Sequence, residues 1–360
     1  TGDDNVGVGL NALLANTTGT LNVAVGMNAV DANTTGDKNT GIGQGALSTN
    51  TTADNNTAVG FGALNLNTTG DTNTAVGKDS MKTNTTGTNN GAFGTRTLQL
   101  NTTGSSNVAV GDLALGANTT GGANVAVGSG ALDANTTASN NTGVGFNALT
   151  ANTTGASNTS VGKSSSRSNT TGTQNSAFGF FAYASGTTGG QNVAVGFAAL
   201  DANTTASDNT AVGASALTAN TTGNQNTFVG ALSGAALTEG PANTALGFES
   251  LTADTKGQNS VAIGHHALST QNFTSATNTY NVAVGSQAGL SVTTGIQNTL
   301  IGGLAGDAMT TGDNNTFIGM SAGGTGVTTG SSNTCIGTAA LQSVSSGASN
   351  CAMGQDAGAF

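Results

Sequence analysis

One glycine returns every seventeen residues, and that spacing restricts the chain to one kind of fold. It closes each Asn-Thr-Ala-Val-Gly segment, at Gly9, Gly26, Gly43, Gly60, Gly77 and onward to Gly264 without a slip. The register then loosens through Gly285, Gly302, Gly319, Gly337 and Gly354, which makes 21 copies in all. Seventeen residues cannot hold two packed helices, but they suit one solenoid coil with two or three short strands. The sequence therefore predicts an all-β parallel β-solenoid of about 21 coils, with no room for a separate domain. At ~4.8 Å per coil this would be a rod of roughly 100 Å.

Numbered from its first Asn, the repeat reads N-[TV]-A-V-G-x-x-A-L-x-x-N-T-T-G-x-x. Positions 2 to 4 alternate like a strand, so 2 and 4 share one face and 3 takes the other. Position 4 is apolar in every copy and reads as the core ladder: Val25, Val59, Val76, Val110, Val127, Val195 and Ile263. Position 3 is nearly always small. Its alanines, Ala24, Ala58, Ala75, Ala109, Ala126 and Ala194, read as a subunit interface where another backbone approaches closely. Position 5 Gly permits a tight turn or a positive φ. Positions 8 and 9, as in Ala46-Leu47, add a second apolar contribution, and Asn-Thr-Thr-Gly at 12 to 15 is a turn-forming segment. Asn, Thr, Val and Leu would stack in ladders. So thin a core gains from lateral association, and an oligomer is expected.

Composition closes several other routes. Charged residues are 7% of the chain, with 57 Gly, one Pro and no Trp, which is poor material for helices. Hydrophobic residues at 36% in fixed register argue against disorder. A net charge of −10 without a basic stripe gives nothing to neutralise phosphates, so nucleic acid is not an expected partner. No apolar run reaches the length of a membrane span, and no signal-peptide pattern opens the chain, which leaves a removed leader or a longer precursor open. Cys335 and Cys351 are too few for a disulfide framework and, at positions 3 and 2, should face opposite sides.

The segment Asn259-Ser260-Val261-Ala262-Ile263-Gly264-His265-His266-Ala267 resembles the head repeat of trimeric autotransporter adhesins. The longer unit from Asn56-Thr57-Ala58-Val59-Gly60 to Asn67-Thr68-Thr69-Gly70 is similar to repeats of phage tail-fibre-like and bacterial surface proteins. The resemblance implies a left-handed parallel β-roll assembled as a homotrimeric rod, at a cell surface, on a virion or otherwise outside the cell. It also implies a cell-surface receptor or glycan as partner. The seventeen-residue unit is longer than the adhesin head unit, and no anchor barrel, stalk or chaperone domain accompanies it.

Residues 1–225 are regular, and 226–360 continue the same solenoid in divergent form. Position 3 becomes bulky at Phe228, Leu300 and Phe317, and Cys335 takes the same place. Position 9 becomes glycine at Gly234, Gly289, Gly306 and Gly323, and extra residues near 269–280 predict a longer loop. Altered coils of this kind could form a binding tip, but variation among end coils accounts for them more simply. Thr1 at position 14 and Phe360 at position 11 leave the repeat open at both ends, which admits head-to-tail polymerisation or a cut from a longer fibre.

Catalysis needs converging titratable groups, and none converge in the sequence. His265 and His266 are neighbours after the strand and should point apart; only a ring of three around a trimer axis would make a metal site of them. Asp3, Asp4, Asp37, Asp54 and Asp71 sit at positions 16 and 17, in solvated turns. The Asn-Thr-Thr triplets are formal N-glycosylation acceptors, but ladders already explain their period. No catalytic, cofactor or metal residue is assigned. The expected function is a structural or adhesive fibre segment, a phage tail-fibre shaft or bacterial adhesin head, without catalysis. A self-polymerising filament subunit is the alternative. An ice-binding solenoid follows at a distance, because consecutive Thr on one strand would send one of each pair inward.

Overall fold

A computed structural model describes residues 2–324, 328–342 and 345–358; Thr1 and Phe360, the open ends of the repeat, lie outside them. The described residues contain no helix. They form a parallel β-solenoid of about twenty coils, each supplying one three-residue strand from positions 2 to 4. Like positions stack on like: Val23 on Thr40, Ala24 on Gly41, Val25 on Ile42. Longer repeats do not disturb this register, since Val261 still pairs with Val282 and Thr316 with Thr334.

The chain divides into two compact units, residues 1–175 and 176–360. The first stacks ten strands, from Val6–Val8 to Thr159–Val161, and the second eleven, from Ser176–Phe178 to Cys351–Met353. In the second unit the longer repeat after Ile263 also builds a small parallel ladder, Gly257–Gln258 with Thr277–Asn278.

Which face of the strand is the inside is the main correction to the sequence reading. The position-3 residues are the core: Ala24, Ala58, Ala75, Ala109 and Ala126 are fully buried, and Ala194 is 1% exposed, within a single chain. They cannot be an interface between subunits. Position 4 points outward. Val25 and Val110 are 36% and 38% exposed. Val59, Val76, Val127, Val195 and Ile263 are half-buried, so none of the seven belongs to a core ladder.

The physical reason is the narrowness of the coil. Position 3 faces positions 8 and 9 of the opposite wall, where Ala46 and Leu47 are also fully buried. A Cβ on Gly41 would already lie 3.1 Å from the Ala46 carbonyl oxygen and would press into Val30. Position 3 is small because its own coil closes over it, and a small residue cannot report which backbone makes it small.

The other half of the interior is polar. The Asn39 backbone N–H donates to Asn22 Oδ1 (2.9 Å), and its side-chain Nδ2 donates to the Ala53 carbonyl (2.7 Å). From position 12, Asn50 Nδ2 donates to Asn33 Oδ1 and to that same carbonyl, both at 3.0 Å. Two asparagine ladders thus run through the regular coils and meet at position-15 carbonyls such as that of Ala53. All four side chains are fully buried. Burying an unpaired amide costs on the order of 1–3 kcal/mol, so the ladders are tolerable only because each coil completes its neighbour.

Gly26 shows why position 5 is glycine. Its φ is 136°, and a Cβ there would sit 2.7 Å from the Gly43 carbonyl group of the next coil. Positions 7, 9 and 17 also take positive φ but with ordinary side chains, as at Asn28 (54°), Leu47 (52°) and Lys38 (58°). Such residues are strained by roughly 1–2 kcal/mol each. The turn they make lets Leu47 N–H reach the Ala63 carbonyl (3.0 Å), so the strain is offset by bonding to the next coil.

Divergence in the second unit is an exchange of volume across one coil. A Cβ on Gly234 would collide with the Phe228 ring, and one on Gly323 with the Phe317 ring. At Gly306 it would lie 2.9 Å from Leu300. A large side chain at position 3 therefore occupies the space that leucine vacates at position 9. Position 12 follows the change, with buried Leu237 and Met309 replacing asparagine. Loss of the position-12 amide leaves the preceding coil short of a donor: Asn220, one coil before Leu237, and Asn169, one coil before Gly186, each have a buried Oδ1 with no hydrogen-bond partner.

Candidate functional site

The outward side of the strand stack is the most distinctive surface. Positions 2 and 4 both face out, in pairs such as Thr57 with Val59 and Val125 with Val127. No repeat carries a charge at either position, and position 4 is Val, Ile, Leu, Phe or Met throughout. Ile42, Phe93 and Val110 are exposed in the first unit, and Phe178, Leu246 and Ile301 in the second. Single exposed apolar residues are ordinary, but a continuous uncharged row is not.

A second apolar row follows the corner glycine at position 6, which the sequence reading left unassigned. Phe61, Phe146 and Phe197 are 51%, 51% and 56% exposed. Phe180 and Phe197, one coil apart, bring their rings within 5.8 Å. The signal was present as recurring Phe, Met and Leu at a position otherwise filled by polar or small residues such as Gln44, Lys78, Asp112 and Ala214.

The two histidines also lie here, and they do not point apart as an extended segment would require. His266 has a φ of 55°, so the pair forms a turn, and the rings meet edge to face with centroids 4.0 Å apart. His265 stacks on Phe248, and His266 Nδ1 lies 3.3 Å from Glu249 Oε2. Among the described residues no group of three or more His, Cys, Asp or Glu could hold a metal ion.

The threonine pairs lie on neither face of a strand. Positions 13 and 14 form a turn in which Thr34 is half-buried and Thr35 exposed, so neither points inward. Thr34 Oγ1 donates to the Thr51 carbonyl (3.0 Å). Its hydroxyl is committed to the next coil, and only the position-14 row, Thr18, Thr35, Thr52 and their successors, faces solvent. One row is not the two-dimensional hydroxyl lattice that ice binding would use.

The Asn of each Asn-Thr-Thr triplet is buried and fully bonded in coils such as those of Asn33 and Asn50, leaving no amide for a glycan on the folded chain. The acidic turns are ordered. Asp37 accepts from the Thr20 backbone N–H (2.7 Å), and Asp54 from that of Asp37 (2.7 Å). The Thr20 backbone and hydroxyl donors hold the Asp37 carboxyl below the usual carboxylate range. Cys335 is buried and Cys351 exposed, both as free thiols. No described helix is long and apolar enough to cross a membrane. No family model and no curated protein matches the chain.

Proposed function

We propose that this chain is a structural, adhesive fibre segment, of the kind built into phage tail-fibre shafts and bacterial adhesin heads, working outside the cell without catalysis. One observation carries the reading: an uncharged apolar row at position 4, backed mostly by Thr and Val at position 2, faces outward along the strand stack. Covering that row with two further copies would make a homotrimer with a shared apolar interior. Asparagine ladders, carboxylate turns and stacked strands then serve one purpose, a repetitive body that holds its shape without a large core of its own.

Sedimentation equilibrium of the intact chain tests this. The expected particle has three times the 34.5 kDa chain mass. Val59→Glu with Val76→Glu should dissociate it while leaving its circular dichroism unchanged. A wild-type monomer at micromolar concentration overturns the reading.

A further inference from the structure

The position-7 row of the first unit is polar in Asn11, Asn28, Asp79 and Arg96, but two successive coils place Gly45 and Gly62 there instead. Both glycines have φ near that of the asparagines they replace, 66° and 64° against 54° at Asn28. Backbone geometry therefore does not demand them. Their effect is to remove two side chains from the row and open a cavity of about 310 Å³. It crosses four coils, or ~14 Å at the strand spacing.

We infer that this groove binds a neutral oligosaccharide of two or three sugar rings. Phe61, half exposed at the wall, offers a flat apolar plate for the carbon face of a pyranose. Asn28 and Gln44 supply amides that can both donate and accept. Asn65 is held in place by its bonds to the Gly45 carbonyl (2.9 Å) and Ser48 Oγ (2.7 Å). Asp31 lines the groove with a carboxylate that its own backbone N–H and that of Ala32 hold, and its Oδ1 is closed off from solvent. Burial pushes that carboxyl above its ordinary range, against the pull of the two backbone donors.

Charge selects the class. Lys82 is the cation at the groove, and its Nζ lies 3.1 Å from Asp79 Oδ1. With that charge already paired and Asp31 beside it, a phosphate, sulfate or acidic sugar would meet net negative potential. A ligand rich in hydroxyls with one apolar face and no charge fits what remains. The inference names a ligand for the adhesive reading and rests on that reading for its purpose, although the groove lies within one chain.

The test applies the full chain to an array of neutral and acidic oligosaccharides and a peptide array, followed by calorimetry on the best neutral ligand. Phe61→Ala should weaken binding by about tenfold or more, as truncation of a central aromatic anchor does. Gly45→Asn and Gly62→Asn, which install a residue the row accepts elsewhere, should abolish it with the fold intact. Phe146→Ala, at the same repeat position and equally exposed but outside the groove, should have no effect. No neutral-saccharide binding, a preference for acidic sugars or peptides, or binding that survives both asparagine variants overturns the inference. Sedimentation of the same samples separates the two proposals, since a monomer that binds sugar refutes only the assembly and a trimer that does not refutes only the groove.

Discussion

Tyr183 Oη donates to the carbonyl of Gly189 at 3.0 Å, the bond that an asparagine amide makes in the regular coils. Tyr183 stands at position 9, where leucine is usual, and Gly186 stands at position 12 in place of asparagine. A Cβ on Gly186 would run into the phenol ring. One side chain thus does the packing of leucine and the bonding of asparagine. Tyr183→Phe removes that buried bond and should destabilise by about 1–3 kcal/mol in urea titration. Tyr183→Leu with Gly186→Asn rebuilds the common arrangement and should recover most of the loss. If the double variant is no better than Tyr183→Leu alone, the phenol is not standing in for the amide.

Burial pushes the Tyr183 hydroxyl up to about 12 and the Cys335 thiol likewise up to about 12. Both are raised above their unfolded values, so the unfolded chain gives up these protons first as pH rises. Their contribution is complete below about pH 9, declines from pH 9 for the thiol and pH 10 for the phenol, and is gone above about 12. Stability measured across this range should fall with rising pH. Cys335→Ala and Tyr183→Phe should each flatten the slope, and an unchanged slope in both would contradict the burial of these groups.

Phe228 and Gly234 should be energetically coupled. Gly234→Leu alone overpacks the coil against the ring, and Phe228→Ala alone leaves a cavity of the kind that costs about 3–5 kcal/mol. Together the two changes place alanine and leucine where the regular coils have them. The double variant should therefore be more stable than the sum of the singles by about 1–3 kcal/mol. Additive effects would mean that the ring and the glycine do not share space.

Thiol labelling separates the two cysteines. Cys351 is exposed at position 2, while Cys335 is buried at position 3. An aromatic disulfide reagent should titrate one thiol in the native chain and two after denaturation. Cys351→Ser should leave the native protein unreactive.

The seventeen-residue step made the parallel stack legible, because identical positions spaced by one coil can be satisfied only by register pairing. Strand alternation was legible too, but not its sense. Val59 and Ala58 sit on opposite faces by geometry, and hydrophobicity alone points the valine inward. What reverses them is coil width, set across the interior by the residues at repeat positions 8 and 9, such as Ala46 and Leu47. That is a long-range distance, and no window of sequence contains it. The Phe228–Gly234 exchange was visible as two separate anomalies six residues apart, and only the fold shows them touching. The groove was hidden for a similar reason. Gly45 and Gly62 look like two more glycines among 57, until Asn28 and Asp79 are stacked at either end of them.

The reversed faces give the sharpest contrast between adjacent residues. Ala58→Leu adds a branched side chain to an interior that already closes on position 3. It should destabilise the first unit by about 1–3 kcal/mol or more in urea titration, with circular dichroism lost in step. Val59→Thr, one residue later, trades an outward methyl for a hydroxyl and should leave the stability of a dissociated chain within about 0.5 kcal/mol of wild type. It should still weaken self-association, because the hydroxyl enters a dry apolar contact there. Were Val59→Thr to unfold the chain while Ala58→Leu passed unnoticed, the valine row would be the core and the alanine row the surface.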